Sequence, residues 1–439
     1  MPTVHIAYSL NDGYADYTLV SMVSVVNNLA RGRGVTFHIL YTELSKENKR
    51  RLATVCELFG VVRRGSRIRE SVTVIFHDVT AYAAELCGNF VIEHKRLNVA
   101  AYYRLFIPAV IRACGINCDK VLYLDGDTVV RSDIGELYDE DVSGYYCGVV
   151  ADDGMFGVPL PPARMPRLDA LCAEYVPQSG KATEQPGGRG AVTGDAYFNS
   201  GVLLLNMAEL YSADGTDVLL ASVSSVADLQ KRMRSRGYTF AEDQDYLNCV
   251  CFGKTKLLPL KYNFIPGNIG NVRTDLLYVR EYADALLDPV VVHYGGAYLR
   301  DLRRGANLPY AHDWREYART AEVSYSGTDD GYGDYGITPA SRSPGVAARI
   351  TAAYINSFYR YYKNIAREIK KNTTIGELSG GKFSEQFVLR GYDAHIAAAF
   401  VCRYAGVLPK TEVTDKPLRG NDPPVPVLVA RVIRRFCRR

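Results

Sequence analysis

Apolar residues in the first half of the chain come in two rhythms. Short apolar runs at Val4–Ser9 (VHIAYS), Val35–Tyr41 (VTFHILY) and Val72–Phe76 have the length and character of strands. Between them, apolar positions recur at helical spacing. One such stretch runs from about Tyr17 to Leu29, behind the turn residues Asn11-Asp12-Gly13, and another covers Ser45–Phe59, with Ser45 placed to cap its first turn. Strand and helix alternating in this way predict a parallel sheet with helices on both faces. A helix predicted over Asn98–Ala113 leads into Lys120–Leu124 (KVLYL), an unbroken apolar run of the kind found in strands buried on both sides. Tyr145–Ala151 reads as another strand, order returns at Tyr197–Asn206, a helix is predicted over about Asp217–Arg236, and Val290–Val292 predicts a last strand.

Elsewhere the periodicity fails. From Gly154 to Gly194 Pro and Gly become frequent, as in PLPPARMP and EQPGGRG, so residues 154–194 are expected to form a long insertion. Residues 323–345, around SGTDDGYGDYGITPASRSPG, have the polar, turn-rich composition of a linker. The implied organisation is a catalytic α/β domain over residues 1–322 and a mainly helical region over 346–439. Within that region Ile350, Tyr354, Phe358, Tyr361, Ile365 and Ile369 fall on one helical face. At the end of the chain Val429, Val432, Ile433, Phe436 and Cys437 share one face, and Arg431, Arg434, Arg435, Arg438 and Arg439 the other. Pro423, Pro424 and Pro426 mark where this basic amphipathic helix would start, and its expected partner is an anionic membrane surface.

Composition narrows the classes. With 47% hydrophobic and 23% charged residues over 439 positions, the chain is globular in type, neither disordered nor a multi-span membrane protein. A net charge of +4 is too small to imply a nucleic-acid partner. No stretch reaches the ~18–20 apolar residues needed to span a bilayer, and MPTVHIAYSL lacks a signal-peptide pattern. The expected location is therefore cytoplasmic, with a peripheral station on the inner face of the membrane. The ten cysteines are scattered and read as reduced thiols, since neither Cys114/Cys118 nor Cys249/Cys251 matches a two-pair zinc site.

The strongest chemical signal is VLYLDGDTVV, in which Asp125 and Asp127 follow the buried strand directly. Ligands of open α/β sheets gather at the carboxyl ends of strands, and Gly126 favours the curled turn that lets two carboxylates converge on one hard cation. An apolar strand followed by Asp-x-Asp-Thr-Val is also similar to the nucleophile motif of haloacid-dehalogenase-type phosphatases. That motif normally opens its domain, whereas three strand–helix units precede it here. Asp152 ends another predicted strand, and Asp243–Cys251, Asn263 and Val290–Gly296 carry the other candidate residues. Asn199 stands at the head of an apolar run, where a buried amide must find partners, and sugar hydroxyls can supply them.

In their order, these motifs resemble glycosyltransferase family 8, a retaining group, over about Val4 to Arg300. The resemblance implies a GT-A-type, Rossmann-like α/β fold with a mixed, largely parallel sheet flanked by helices. It implies that AYSLNDGY, carrying Ala7, Tyr8, Asn11 and Tyr14, is a uridine-binding loop, and that Arg104 of AAYYRLFIP reaches the donor. Asp125, Gly126 and Asp127 would then be the metal motif and His293 of HYGG the third metal ligand, with Mn²⁺ or Mg²⁺ as the ion. YFNSGVLLLN would supply Asn199, Ser200 and Gly201 to the sugar, and EDQDYLN the catalytic pair Asp243 and Gln244. Asp152 and Asp243 would bind donor hydroxyls, and Gln244 would lie beneath the anomeric carbon. UDP-glucose or UDP-galactose is the implied donor, and a glycan or glycolipid hydroxyl the acceptor. Gly295-Gly296 would let backbone amides approach the diphosphate. The family's usual lysine and Pro-Trp after His-x-x-Gly are missing from HYGGAYLRDLRR, which leaves the phosphate contact to Arg300 or Arg303. The rival readings are the phosphatase and a transferase fold that binds UDP without turnover.

Overall fold

A computed structural model of the chain describes residues 3–56, 71–87, 99–152, 197–235, 242–266, 285, 288–295, 299 and 310–323. The 154–194 insertion, the 323–345 linker beyond Val323, the C-terminal helices with their basic amphipathic end, and Gly296, Arg300 and Arg303 all lie outside the described residues.

Strand β1 (Val4–Ser9) is buried along most of its length, so it has to be covered on both faces. Parallel neighbours flank it: β2 (Val35–Tyr41), then β3 (Val72–Asp78) on one side, and β4 (Lys120–Leu124) on the other. Beyond β4 come β7 (Phe198–Asn206), β6 (Cys147–Ala151) and β8 (Thr255–Leu258), giving the order β3-β2-β1-β4-β7-β6-β8. Only β7 runs against the rest. The sheet is thus mixed and largely parallel, as the alternation of elements predicts.

Two apolar cores form, one on each face. Tyr8, Phe37, Leu122 and Leu204 pack with helix α1 (Ala15–Asn28) on one side. Ala7, Leu40, Val121, Tyr123 and Leu205 pack with Phe106 and Tyr246 on the other. Helix α2 (Lys46–Ala53) begins where Ser45 predicts, the serine hydroxyl accepting from Asn48 N–H at 3.2 Å. Helix α3 (Thr80–Cys87) follows β3.

The structure departs from the predicted helix over Asn98–Ala113. Its described part is a 3₁₀ stretch, Val99–Phe106, followed by α4 (Ile107–Ala113), with Pro108 in the first turn of the true α-helix. Proline lacks an N–H and suits that first turn, where no intrahelical acceptor is waiting. Helix α5 (Gly135–Tyr138) precedes β6. Likewise the helix predicted over Asp217–Arg236 divides at Ser222 into α6 (Val218–Ala221), capped by the Asp217 carboxylate, and α7 (Val223–Ser235). Helix α8 (Glu242–Val250) then runs beneath the end of β7, and α9 (Ala311–Thr320) packs on α1.

Two features position the site. A separate antiparallel ribbon pairs β5 (Thr128–Val130) with β9 (Val291–His293), setting Thr128 opposite His293. In β7 the register against β6 jumps, Val149 pairing with Leu203 but Val150 with Asn199, so Ser200, Gly201 and Val202 bulge towards β4. Bulges of this kind redirect side chains beside sites.

Candidate active site

Asp125 and Asp127 leave the carboxyl end of β4 on a tight turn. Thr128 Oγ1 closes the turn by donating to Asp125 O at 2.8 Å, and Asp125 N–H donates to Gly201 O on the bulge at 2.8 Å. Gly126 is required here for space, since a Cβ would stand 2.5 Å from Thr18 Oγ1. The chain then enters β5, whose pairing with β9 carries His293 to the acids. His293 Nε2 lies 3.3 Å from Asp127 Oδ1 and 3.6 Å from Asp125 Oδ2. One ligating atom from each of the three residues falls within a 4.8 Å cluster. Two carboxylate oxygens and one imidazole nitrogen are a donor set that can hold a divalent metal ion.

Arg104 is buried against this cluster. Its Nη2 donates to Asp125 Oδ1 at 3.0 Å, its Nη1 to Ser200 O at 2.5 Å, and its Nε lies 3.2 Å from Asp243 Oδ2. The guanidinium also covers the Tyr123 ring, 4.5 Å from its centroid, while Tyr123 Oη donates to the same Asp125 Oδ1 at 2.7 Å. Burial works against the charge of Arg104, but the carboxylates of Asp125 and Asp243 outweigh it and raise its pKa further. Asp243 moves the other way: burial pushes it up to about 6, against the opposing pull of Arg104.

The Arg104 guanidinium touches Asp125 and Asp243 and feels the field of Asp127. One guanidinium among these carboxylates leaves an excess of negative charge, which a divalent cation can offset. Burial opposes a proton on His293, yet Asp127 beside it raises the imidazole's pKa, and Asp127 is itself lowered by His293 against its own burial. Without a cation, a proton is what the pair attracts.

Next to the acids sits a group of amides. Gln244 Nε2 donates to Asp152 Oδ2 at 2.9 Å and to Tyr197 Oη at 3.1 Å. Its Oε1 accepts from Asn199 Nδ2 at 3.1 Å and from Ser200 N–H at 3.2 Å. Ser200 Oγ in turn donates to Asp243 Oδ2 at 3.1 Å. Asn199, expected to satisfy its amide with sugar hydroxyls, instead uses protein partners: its Oδ1 accepts from Gly201 N–H and from Asn263 Nδ2, both at 2.9 Å. The β7 bulge folds these residues against one another, so the protein supplies the partners first.

In the first loop the side chains of Ala7 and Tyr8 are core. Tyr8 is fully buried and its hydroxyl pairs with Ser21 Oγ at 2.9 Å, so its side chain belongs to the core. What the end of β1 offers a ligand is Ser9 Oγ and Asn11 Oδ1, both buried and without a hydrogen-bond partner among the described residues. Such orphaned atoms are costly unless a polar group meets them. Tyr14 packs edge-on against Tyr17, ring centroids 5.5 Å apart.

The structure therefore brings Arg104, Asp125, Asp127, Asp152, Asn199, Ser200, Asp243, Gln244 and His293 into one hydrogen-bonded and ionic assembly. Tyr123 and Tyr197 join it without having been foreseen. Tyr123 was detectable, because position i−2 on a strand shares the face of Asp125. Tyr197 carried no signal beyond a tyrosine next to a strand.

A mixed sheet with an acid pair past its fourth strand and a histidine delivered by a small ribbon defines a glycosyltransferase of GT-A type. The chain belongs to glycosyltransferase family 8, whose model (Glycosyl transferase family 8) matches residues 5–298. It is 25% identical over 319 residues to a lipopolysaccharide 1,2-glucosyltransferase of Escherichia coli, spanning 72% of this chain and 75% of that protein. It is 23% identical over 295 residues to general stress protein A of Bacillus subtilis, spanning 67% and 85% respectively. Among solved structures it is similar to the galactosyltransferase LgtC in complex with donor and acceptor sugar analogues, with a TM-score of 0.50, 23% identity, and coverage of 73% of this chain and 96% of that one.

Proposed function

We propose that the chain is a metal-dependent, retaining hexosyltransferase that moves glucose or galactose from a UDP-sugar to a hydroxyl of a glycan or glycolipid acceptor, in the synthesis of cell-surface polysaccharide or lipopolysaccharide. The observation that carries the proposal is the convergence of Asp125, Asp127 and His293 within 4.8 Å, beside the assembly of Arg104, Asp152, Asp243 and Gln244. Asp125, Asp127 and His293 would hold Mn²⁺ or Mg²⁺, which when bound supplies Lewis-acid stabilisation to the departing diphosphate.

The protein's own groups do the rest. Arg104 holds Asp125 and Asp243 in place through its hydrogen bond and ion pair; Asp152 and Asp243 take donor hydroxyls. Gln244 presents a polar amide to the anomeric carbon. Its Oε1 already accepts two hydrogen bonds, which argues against a covalent role and for stabilising the positive charge that develops there. Retention then follows from same-face attack. The bond from anomeric carbon to phosphate oxygen breaks, the bond to the acceptor oxygen forms, and a leaving-group phosphate oxygen takes the acceptor proton. The orphaned Ser9 Oγ and Asn11 Oδ1 support placing uridine at the end of β1.

The experiment is UDP release from individual UDP-sugars with Mn²⁺ or Mg²⁺, with and without chelator, for the parent chain and for Asp125→Asn and Asp127→Asn. Release from UDP-glucose or UDP-galactose is expected, lost on chelation and in both variants. Full activity in either variant at limiting Mn²⁺ would refute the metal assignment, and phosphate release from a generic ester in place of UDP release would favour the phosphatase.

A further inference from the structure

We propose that Asn263 is a positioning residue that sets the tautomer of His293, as the last member of an amide relay running from Asp152 to the metal-binding face of the imidazole. The inference rests on the reading that Asp125, Asp127 and His293 hold a divalent cation. It goes beyond that reading by assigning a function to Asn263, which that reading places on neither the cation nor the donor.

The relay has a direction, and two backbone groups impose it. A main-chain N–H can only donate. Gly201 N–H points at Asn199 Oδ1 at 2.9 Å and Ser200 N–H at Gln244 Oε1 at 3.2 Å, so each contact identifies the oxygen end of a side-chain amide. From Gln244, Nε2 donates outward to the Asp152 carboxylate. Asn199 Nδ2 donates to Gln244 Oε1, and Asn199 Oδ1 accepts from Asn263 Nδ2 at 2.9 Å. Asn263 must then turn its own Oδ1 to His293 Nδ1, 3.1 Å away. An amide oxygen accepts only, so Nδ1 carries the proton. The lone pair of neutral His293 is left on Nε2, the atom that faces Asp127 and Asp125.

Burial makes the relay exclusive. Asn263 is only 2% exposed, and Gly201 lies so close that a Cβ there would collide with the imidazole and with Asn199 Oδ1. Water therefore has no room to take over the acceptor's place. Hydrogen bonds to the far nitrogen of a metal-binding histidine typically change metal affinity by about 10–100-fold.

The test uses the full chain and three measurements: Mn²⁺ binding followed by the spin-resonance signal of free Mn²⁺, UDP release against Mn²⁺ concentration, and the ¹⁵N spectrum of labelled histidines in the Mg²⁺-loaded parent. Asn263→Leu, which removes the acceptor, is expected to weaken Mn²⁺ binding by about 10–100-fold and to regain turnover as Mn²⁺ is raised. Asn263→Asp keeps an acceptor for His293 Nδ1 but loses the donor to Asn199 Oδ1, and is expected to bind Mn²⁺ more tightly than Asn263→Leu and less tightly than the parent. His293 in the parent is expected as the Nδ1–H tautomer. Equal Mn²⁺ binding by a folded Asn263→Leu variant, or an Nε2–H tautomer for His293 in the parent, overturns the relay alone. If Asn263→Leu does not fold, the parent's tautomer and the Asn263→Asp variant decide. A parent that binds no Mn²⁺ at all overturns the metal reading, and the relay with it.

Discussion

Gly201→Ala is the smallest change that bears on both the fold and the proposed chemistry. The backbone of Gly201 is not in the left-handed region, so alanine costs nothing there by conformation, and its whole effect is the volume of one methyl group. That methyl carbon would stand 2.7 Å from His293 Nδ1 and 2.9 Å from Asn199 Oδ1, with Cε1 of the imidazole closer still. Ordinary contact begins near 3.4 Å, so the ring, led by its Cε1, must retreat by about 1 Å. None of these atoms is the loose end of a flexible side chain. The ring is held on one side by Asn263 and on the other by Asp127, and Asn199 is held by Gln244. Forcing a methyl into such a site typically costs about 1–3 kcal/mol. A displacement of that size also exceeds the ~0.2 Å tolerance of metal–ligand distances. The expected result is a thermal midpoint several degrees lower and Mn²⁺ binding weaker by at least about tenfold. Differential scanning fluorimetry with and without Mn²⁺ reads both together, because a bound ion raises the midpoint by an amount that grows with the logarithm of its concentration over Kd. A variant with the parent's midpoint and the parent's Mn²⁺-dependent increase would show that His293 is not held as described.

Three other outcomes can be checked. Gln244→Ala should lower turnover far more than it raises the donor's apparent binding constant, whereas weak binding with normal turnover would remove Gln244 from the transition state. His38 is depressed to about 3, first by burial and then by His77 and His5, so the unfolded chain takes up its proton near 6.5 and the folded chain only near 3. This contribution is whole above about pH 6.5 and is lost as pH falls towards 3; relative to His38→Leu, urea unfolding of the parent should lose about 2 kcal/mol between pH 7 and 5, and parallel pH profiles would refute it. Finally, the full chain should co-sediment with anionic vesicles at low salt and a chain truncated after Asn421 should not, since each arginine near such a surface contributes about 1 kcal/mol; equal sedimentation of the two would return the segment to a structural role.

Which parts could be read from the chain depended on how locally they are encoded. Val4–Ser9, Val35–Tyr41 and Lys120–Leu124 were readable to the residue because a strand covered on both faces is apolar throughout and turn residues bound it. The segment before β4 reads as one helix because apolar spacing cannot tell a 3₁₀ turn from an α-helix, and Pro108 alone marks where the α-helix starts. Strand β9 is legible as the apolar run at Val290–Val292, but β5 has three residues, too few for any period, and the pairing of the two joins segments far apart in sequence. The acids of the site stood out because two of them follow an apolar run. The amide relay did not, since Asn199, Asn263 and Gln244 come from a bulged strand, a loop and a helix, and become neighbours only when the sheet and the ribbon close on each other.

That closure also explains why Asp125 has two different oxygens. Its Oδ1 is fully engaged inside the sheet domain, by Tyr123 from the same strand face and by Arg104 from the 3₁₀ stretch. Its Oδ2 points across to the ribbon, where His293 stands 3.6 Å away. On the proposed reading, Asp125 would offer a cation its Oδ2, and Asp127 and His293 would complete the set that holds the ion, which when bound would stabilise the departing diphosphate. The buried pair of Arg104 and Tyr123 would then act on the proposed reaction at one remove, by holding Oδ1 inside the sheet domain and leaving Oδ2 to face the ion.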